Sequence, residues 1–197
     1  MLIEKNNFIT HEDCDEIIRI SEDRFVEAQV VGGEKGYRIA SYTWMDNNEP
    51  ISLKLKEITS IETGLPIDNM ENINVVKYEV GGEYKAHCDF FEPSVSYQSE
   101  MERGGQRVKS VLFYLNGDFE GGQTDFPTLN IRVEPVKSKV IIWDNLKVDG
   151  SLDYDTLHAG LPVTSGKKYI ATIWIRENAF GFIKENTELN YYDSLGL

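Results

Sequence analysis

Three histidines occur in the 197 residues, and two of them, His87 and His158, fall in segments with strand character. His87 belongs to Tyr84-Lys85-Ala86-His87-Cys88-Asp89-Phe90-Phe91. Strand side chains alternate between faces, so His87 and Asp89 are expected to point one way and Cys88 the other. An imidazole and a carboxylate on one face can take adjacent positions on a single metal ion. A second imidazole from a distant strand then completes a facial triad that leaves three positions open. His158 is the candidate for that third ligand, since His11 sits in an N-terminal helical stretch. By itself an H-x-D spacing is weak. It arises by chance, and a histidine in a β core is more often a hydrogen-bonded structural residue.

The segment after His158 adds weight. It runs His158-Ala159-Gly160-Leu161-Pro162-Val163-Thr164-Ser165-Gly166-Lys167-Lys168-Tyr169-Ile170-Ala171-Thr172-Ile173-Trp174. A glycine turn followed by a returning antiparallel strand would bring Lys168 back beside the strand that carries His158. A lysine is rarely deep inside a protein unless paired, so an ammonium on an apolar strand invites an anion. A dicarboxylate that chelates the metal at one end and meets the lysine at the other satisfies both needs. Lys167 competes for this role, but alternation puts Lys168 in phase with Ile170, Thr172 and Trp174.

The elements that must position these groups follow from pattern. Thr10 is a plausible N-cap, with acidic residues in the first turn and Cys14, Ile17 and Ile18 at helical spacing. A second helix is expected from Pro50, with Ile51, Leu55, Ile58 and Ile61 on one face. Between them Phe25 to Val31 and Tyr37 to Trp44 read as strands joined by the turn at 32–36. From residue 72 onward short strands follow one another: Ile73–Glu79, Tyr84–Phe91, Arg107–Leu115, Gln123–Phe126, Leu129–Glu134, Ser138–Trp143, Thr156–Leu161 and Lys168–Arg176. Glycine turns punctuate them, and no helix intervenes. That succession indicates an antiparallel barrel or jelly roll, giving a β-rich α+β fold buttressed by N-terminal helices. We expect one domain over 1–197, with support in 1–70, a catalytic β-core in 71–180 and a tail from 181 to 197. The stretch Glu92 to Gln106 reads as a long polar connection, either a lid or merely flexible.

Three ordered blocks carry a family resemblance: VVKYEVGGEYKAHCDFF (75–91), GGQRVKSVLFYLNGDFEGGQTDFP (104–127) and the H-x-G-x-P-V-x-x-G-K-K stretch from His158. They resemble the catalytic core of the prolyl 4-hydroxylase group of Fe(II)/2-oxoglutarate dioxygenases. Arg38-Ile39-Ala40-Ser41 is similar to that group's R-x-x-S strand. The resemblance implies a distorted double-stranded β-helix with His87, Asp89 and His158 as iron ligands. It implies Lys168 at the distal carboxylate of 2-oxoglutarate, Tyr78 and Thr124 hydrogen-bonded to that cosubstrate, and Trp174 lining its pocket. Tyr84 and Arg107 would flank a peptide groove, Arg107 donating to a substrate carbonyl. Tyr78, Thr124 and Trp174 could equally be ordinary barrel interior. The implied cofactors are Fe(II), 2-oxoglutarate and dioxygen, with ascorbate as a further candidate. The implied reaction couples decarboxylation to succinate with hydroxylation of a prolyl residue in a peptide or protein. An aspartate at position 89 favours hydroxylation over halogenation, which needs that metal site for halide. The group often has cysteine where Leu161 stands, and no additional peptide-binding domain is expected.

Bulk properties exclude some classes. Acidic residues number 33 against 20 basic, a net charge of −13 at pH 7, so a nucleic-acid phosphate binder is not expected. The surplus suits a solvated surface or a basic peptide partner. Two cysteines cannot make a disulfide framework, and no leader-like or membrane-spanning apolar run occurs, so a soluble cytoplasmic protein is expected. A zinc hydrolase lacks an H-E-x-x-H motif here, and the Gly160–Gly166 spacing with Lys167-Lys168 is not a phosphate-binding loop. A non-catalytic jelly-roll module would have no use for a lysine in phase with a metal triad. A 2-oxoglutarate oxygenase with another substrate is the nearest rival.

Overall fold

The computed structural model describes residues 1–27, 37–93 and 97–180. The chain opens with strand β1 (Leu2–Lys5) and helix α1 (His11–Ser21), then β2 (Val26–Glu27), β3 (Arg38–Ile39) and β4 (Ser41–Trp44). Helix α2 (Pro50–Thr63) precedes the succession β5 (Asn74–Tyr78), β6 (Glu83–His87), α3 (Gln98–Gly104), β7 (Arg107–Tyr114), β8 (Glu120–Gly121), β9 (Thr124–Phe126), β10 (Ile131–Val133) and β11 (Val140–Asp144). Strands β12 (His158–Gly160), β13 (Val163–Ser165) and β14 (Lys168–Arg176) complete it.

The main sheet has the order β1-β11-β7-β14-β5-β4-β2, and the facing sheet β10-β9-β12-β6-β3; β13 and β8 form a small third sheet. The pairings are antiparallel. Of the barrel and the jelly roll that the strand succession left open this is the jelly roll, the double-stranded β-helix that the resemblance implies, and its two sheets enclose the site.

Alternation in β7 and β14 explains why both read as almost continuously apolar. Val111, Phe113, Ala171, Ile173 and Ile175 face the helices, where they meet Cys14 and Ile17 of α1 and Leu55 of α2. Leu112, Tyr114 and Ile170 turn inward against Phe126 and Trp143. A strand covered on both faces has no polar side to show. Fully burying each large apolar side chain contributes about 1.5–3 kcal/mol, so this double coverage anchors the scaffold.

The helices follow local rules. Thr10 Oγ1 accepts from the Asp13 amide at 3.1 Å, and Asp13 Oδ2 accepts from the Thr10 amide at 3.1 Å, a reciprocal capping box. Asp13 also takes Lys54 of α2 at 2.7 Å, tying the two helices together. α2 starts at Pro50 and ends at Gly64, whose φ of 70° is a left-handed cap. Its buried stripe differs from the expected one: Ile51, Ser52, Leu55, Lys56 and Thr59 face inward, while Ile61 is exposed. At 100° per residue, Ile61 falls about 80° behind Ile51, outside an arc centred near Leu55 and Thr59. Lys56 is tolerated inside because Asn47 Oδ1 and the Met70 carbonyl accept from it, and burial lowers its pKa to about 8.

Further differences bear on the site. The 92–106 connection carries α3 rather than running as an irregular loop. The first 70 residues are woven into the sheets: β4 pairs with β5, and β3 with β6. The turn at 32–36, most of its preceding strand and the 181–197 tail lie outside the described residues. Among the described residues no helix is long and apolar enough to cross a membrane.

Candidate active site

In the facing sheet β12 pairs with β6 so that His158 stands directly opposite His87. Side chains opposite one another on an antiparallel pair share a face, which brings two histidines 71 residues apart into contact, ring centroids 4.3 Å apart. Asp89 arrives differently from the alternation argument. β6 ends at His87, and Asp89 occupies the bend beyond it, so its orientation comes from hydrogen bonds rather than strand geometry. Ser110 Oγ donates to Asp89 Oδ2 at 2.6 Å. The exit of the chain is clamped by Gln106, whose amide accepts from Phe91 N at 2.7 Å and donates to Phe91 O at 2.8 Å.

Asp89 Oδ1 lies 3.6 Å from His87 Nε2 and 3.8 Å from His158 Nε2. The three ligand atoms all fall within 4.8 Å of one another. Each imidazole is also oriented from behind. The Lys85 carbonyl faces His87 Nδ1 at 2.8 Å, and the Thr156 carbonyl faces His158 Nδ1 at 2.9 Å. A carbonyl can only accept, so both Nδ1 atoms carry the proton and both Nε2 lone pairs face the common centre. Burial, then the neighbouring His158, lowers the His87 pKa to about 3, which keeps that ring neutral. Burial would raise the Asp89 pKa, but His158, His87, Arg107 and the Ser110 hydroxyl outweigh it and hold the carboxyl below its ordinary range. Two imidazoles presenting Nε2 and one ionised carboxylate fit a divalent metal of the Fe(II) type.

Behind this centre the interior cavity is lined by Tyr78, Thr124, Lys168, Ile170, Thr172 and Trp174, together with Arg38 and Trp143. The in-phase set Lys168, Ile170, Thr172 and Trp174 thus shares the cavity. Lys167 pairs instead with Glu79 at 3.3 Å on the exposed side. Lys168 reaches the cavity by a route other than the expected one. Its strand β14 pairs with β5 and β7 in the main sheet, so the ammonium crosses the interior toward β12 rather than lying beside it along one sheet.

Lys168 is 2% exposed, donates to the Gly122 carbonyl at 2.6 Å, and has no carboxylate in ion-pair range among the described residues. Burial alone lowers its pKa to about 7. Three other cavity-lining groups have buried nitrogens without a hydrogen-bond partner among the described residues: Arg38 Nε, Trp143 Nε1 and Trp174 Nε1. All are donors. A cavity with unmet donors and an uncompensated ammonium fits an acceptor-rich anion such as a dicarboxylate.

Thr124 is held by Tyr114, whose hydroxyl donates to Thr124 Oγ1 at 2.6 Å. Tyr84 lines the cavity, stacked on His87 at 3.6 Å with Arg38 4.8 Å above its ring. Arg107 is not among the cavity-lining residues. Glu71 holds its guanidinium at 2.7 and 2.8 Å, and it lies 3.9 Å over Trp174. Sequence reasoning gave no site role to Trp143 or to Arg38, which it named only as part of the R-x-x-S strand. Trp143 was findable, since it is in phase with the inward-facing Ile141 on β11. Arg38 lies on a two-residue strand, too short to show a period.

Comparison with known proteins agrees with this geometry. The profile of the 2OG-Fe(II) oxygenase superfamily matches residues 73–176. A protein of Acanthamoeba polyphaga mimivirus named "Putative prolyl 4-hydroxylase" is 36% identical over 178 residues, covering 89% of this chain and 74% of that one. Prolyl 4-hydroxylase 5 of Arabidopsis thaliana is 30% identical, with 89% and 68% covered. The chain belongs to the 2-oxoglutarate/Fe(II) oxygenase superfamily, in its prolyl 4-hydroxylase group. The viral collagen prolyl hydroxylase of Paramecium Bursaria Chlorella virus-1, solved with 2-oxoglutarate, superposes with a TM-score of 0.72 at 29% identity, covering 89% of this chain and 95% of that one. The chain is therefore a 2-oxoglutarate-dependent dioxygenase with the jelly-roll fold of that group.

Proposed function

We propose that this dioxygenase hydroxylates prolyl residues in a peptide or protein, with His87, Asp89 and His158 holding iron and Lys168 anchoring the distal carboxylate of 2-oxoglutarate. The observation that carries the reading is the pairing of two environments in one cavity: three ligand atoms within 4.8 Å of one another, and a buried ammonium with no carboxylate beside it among the described residues. Iron with 2-oxoglutarate supplies the oxidising chemistry, and the protein's part is binding, orientation and exclusion of water.

Each side chain has a task in that reading. Lys85 and Thr156 fix the histidine tautomers through their carbonyls. Lys168 offers a charge-assisted contact to the distal carboxylate, Thr124 and Tyr78 offer hydroxyl groups beside it, and Trp174 closes the wall. Tyr84 is assigned to the substrate side of the site from its place in the cavity lining, and Arg107, which Glu71 holds over Trp174, is assigned there by the resemblance alone. A prolyl substrate is supported by the names that the relatives carry, and by their similarity over about nine-tenths of this chain. A reducing, cytoplasmic setting is supported by Cys14 and Cys88, both free.

The test is succinate release under air with Fe(II), 2-oxoglutarate and a proline-rich peptide, with hydroxyproline read by mass spectrometry. Peptide-stimulated turnover, abolished in His87→Ala and Asp89→Ala, is expected. Full succinate release in either variant contradicts the ligand assignment, and turnover without hydroxyproline contradicts the substrate.

A further inference from the structure

Ser110 is the polar residue that opens the buried run of β7, a strand flanked by β11 and β14 inside the main sheet, and it is fully buried. It is not among the residues that line the cavity, although its register partners Trp143 and Trp174 both do. A buried hydroxyl costs stability unless its hydrogen bonds are satisfied, so its partners show what it does. They are Asp89 Oδ2 at 2.6 Å and the Asn145 amide at 2.9 Å.

The directions of these bonds are fixed by chemistry. An ionised carboxylate can only accept, so the single Ser110 hydrogen points at Asp89. Ser110 Oγ is then left as an acceptor, and Asn145 must present its NH2 rather than its oxygen. Asn145 is fully buried and placed by its own backbone, which donates to the Val108 carbonyl at 2.9 Å and accepts from the Asp153 amide at 3.0 Å. Among the described residues its side-chain oxygen has no partner, and its NH2 donates to Ser110. The relay ends on Oδ2 of Asp89, while Oδ1 is the oxygen nearest both histidine Nε2 atoms.

We propose that Asn145 and Ser110 are positioning residues for Asp89, holding Oδ2 so that Oδ1 is presented to the metal. Asp89 needs such a holder because it lies beyond the end of β6, where no ladder bond fixes it. The inference rests on the reading of Asp89 as a metal ligand. It adds a cause for that ligand's orientation which neither the H-x-D motif nor the strand supplies.

The test is Mn(II) affinity of the full chain, measured by electron paramagnetic resonance without cosubstrate, in wild type, Ser110→Ala, Ser110→Thr, Asn145→Ala and Asp89→Ala, with the melting temperature of each. Removing an outer partner of a metal ligand weakens affinity by about 10- to 100-fold, and that loss is expected in Ser110→Ala and Asn145→Ala. Ser110→Thr, which keeps the hydroxyl on a strand, should bind as wild type. That rescue separates positioning from packing. Wild-type affinity in Ser110→Ala, with binding lost in Asp89→Ala, overturns the relay and leaves the ligand reading intact. Wild-type affinity in Asp89→Ala overturns the ligand reading itself. Should Ser110→Ala fail to fold, Asn145→Ala decides alone: loss supports the relay and unchanged affinity overturns it.

Discussion

Replacing Lys168 by methionine should do two opposite things. In the free protein the ammonium is buried against a carbonyl with no anion, and its pKa falls from 10.5 to about 7. At about 1.4 kcal/mol per unit, the charged form costs about 5 kcal/mol. Methionine has similar length and no charge. Exchanging a buried charge for an apolar side chain of similar volume commonly stabilises by about 1–4 kcal/mol, from which about 1 kcal/mol is lost because the Gly122 carbonyl forfeits its donor. For a chain of this size the melting temperature rises by about 2–4 °C per kcal/mol, so the metal-free Lys168→Met protein should melt several degrees above wild type at pH 7. The cosubstrate loses its cationic partner in the same variant. Removing one side of a buried charge pair costs about 2–5 kcal/mol, or about 30-fold to several thousandfold in the Kd for 2-oxoglutarate. Calorimetric titration of the Mn(II)-loaded protein under anaerobic conditions measures the second effect and differential scanning the first. Metal affinity should stay near wild type. An unchanged Kd for 2-oxoglutarate refutes the anchoring role, and a lowered melting temperature refutes the argument that the charge is uncompensated.

The same lysine predicts a pH dependence. Only the ammonium binds a carboxylate, so above pH 7 a proton must be taken up with the ligand, and the Kd for 2-oxoglutarate should rise by up to about tenfold per pH unit between 7 and 9. In Lys168→Met that slope should vanish; a slope that persists contradicts the assignment. Glu71→Ala takes from the stacked Arg107 its carboxylate and from the buried Arg176 the nearer of two, Glu100 remaining at 3.5 Å, and should destabilise by about 3–5 kcal/mol, read from urea midpoints. A change below 1 kcal/mol would show that the cluster is not a coupled buried pair. Thr10→Ala removes the reciprocal cap of α1 and should cost about 1 kcal/mol with no effect on metal affinity.

What the sequence made legible is what period and chemistry can encode. Lys168–Arg176 reads correctly as a strand because both faces are covered, and its alternation separates inward Lys168 from outward Lys167. The pairing of His87 with His158 was legible only as a need for a second imidazole; the register that places them opposite each other is a long-range property. Asp89 reaches the centre although its strand ends two residues earlier, because Ser110 and Gln106 hold the bend, and no local pattern announces such partners. Lys168 belongs to the other sheet for a similar reason: the chain passes from β12 in the facing sheet through β13 in the small sheet to β14 in the main sheet, so neighbours in sequence need not pair. Ile61 looks in phase with Ile58 but lies outside the buried arc, which polar Lys56 shares once Asn47 and the Met70 carbonyl accept from its ammonium.

The most direct test of the central claim is anomalous diffraction from crystals grown with Mn(II) and 2-oxoglutarate. The account predicts one strong peak bonded to His87 Nε2, Asp89 Oδ1 and His158 Nε2, with the far carboxylate of 2-oxoglutarate against Lys168 Nζ. A peak bound elsewhere, or a cosubstrate whose far carboxylate turns away from Lys168, would contradict it.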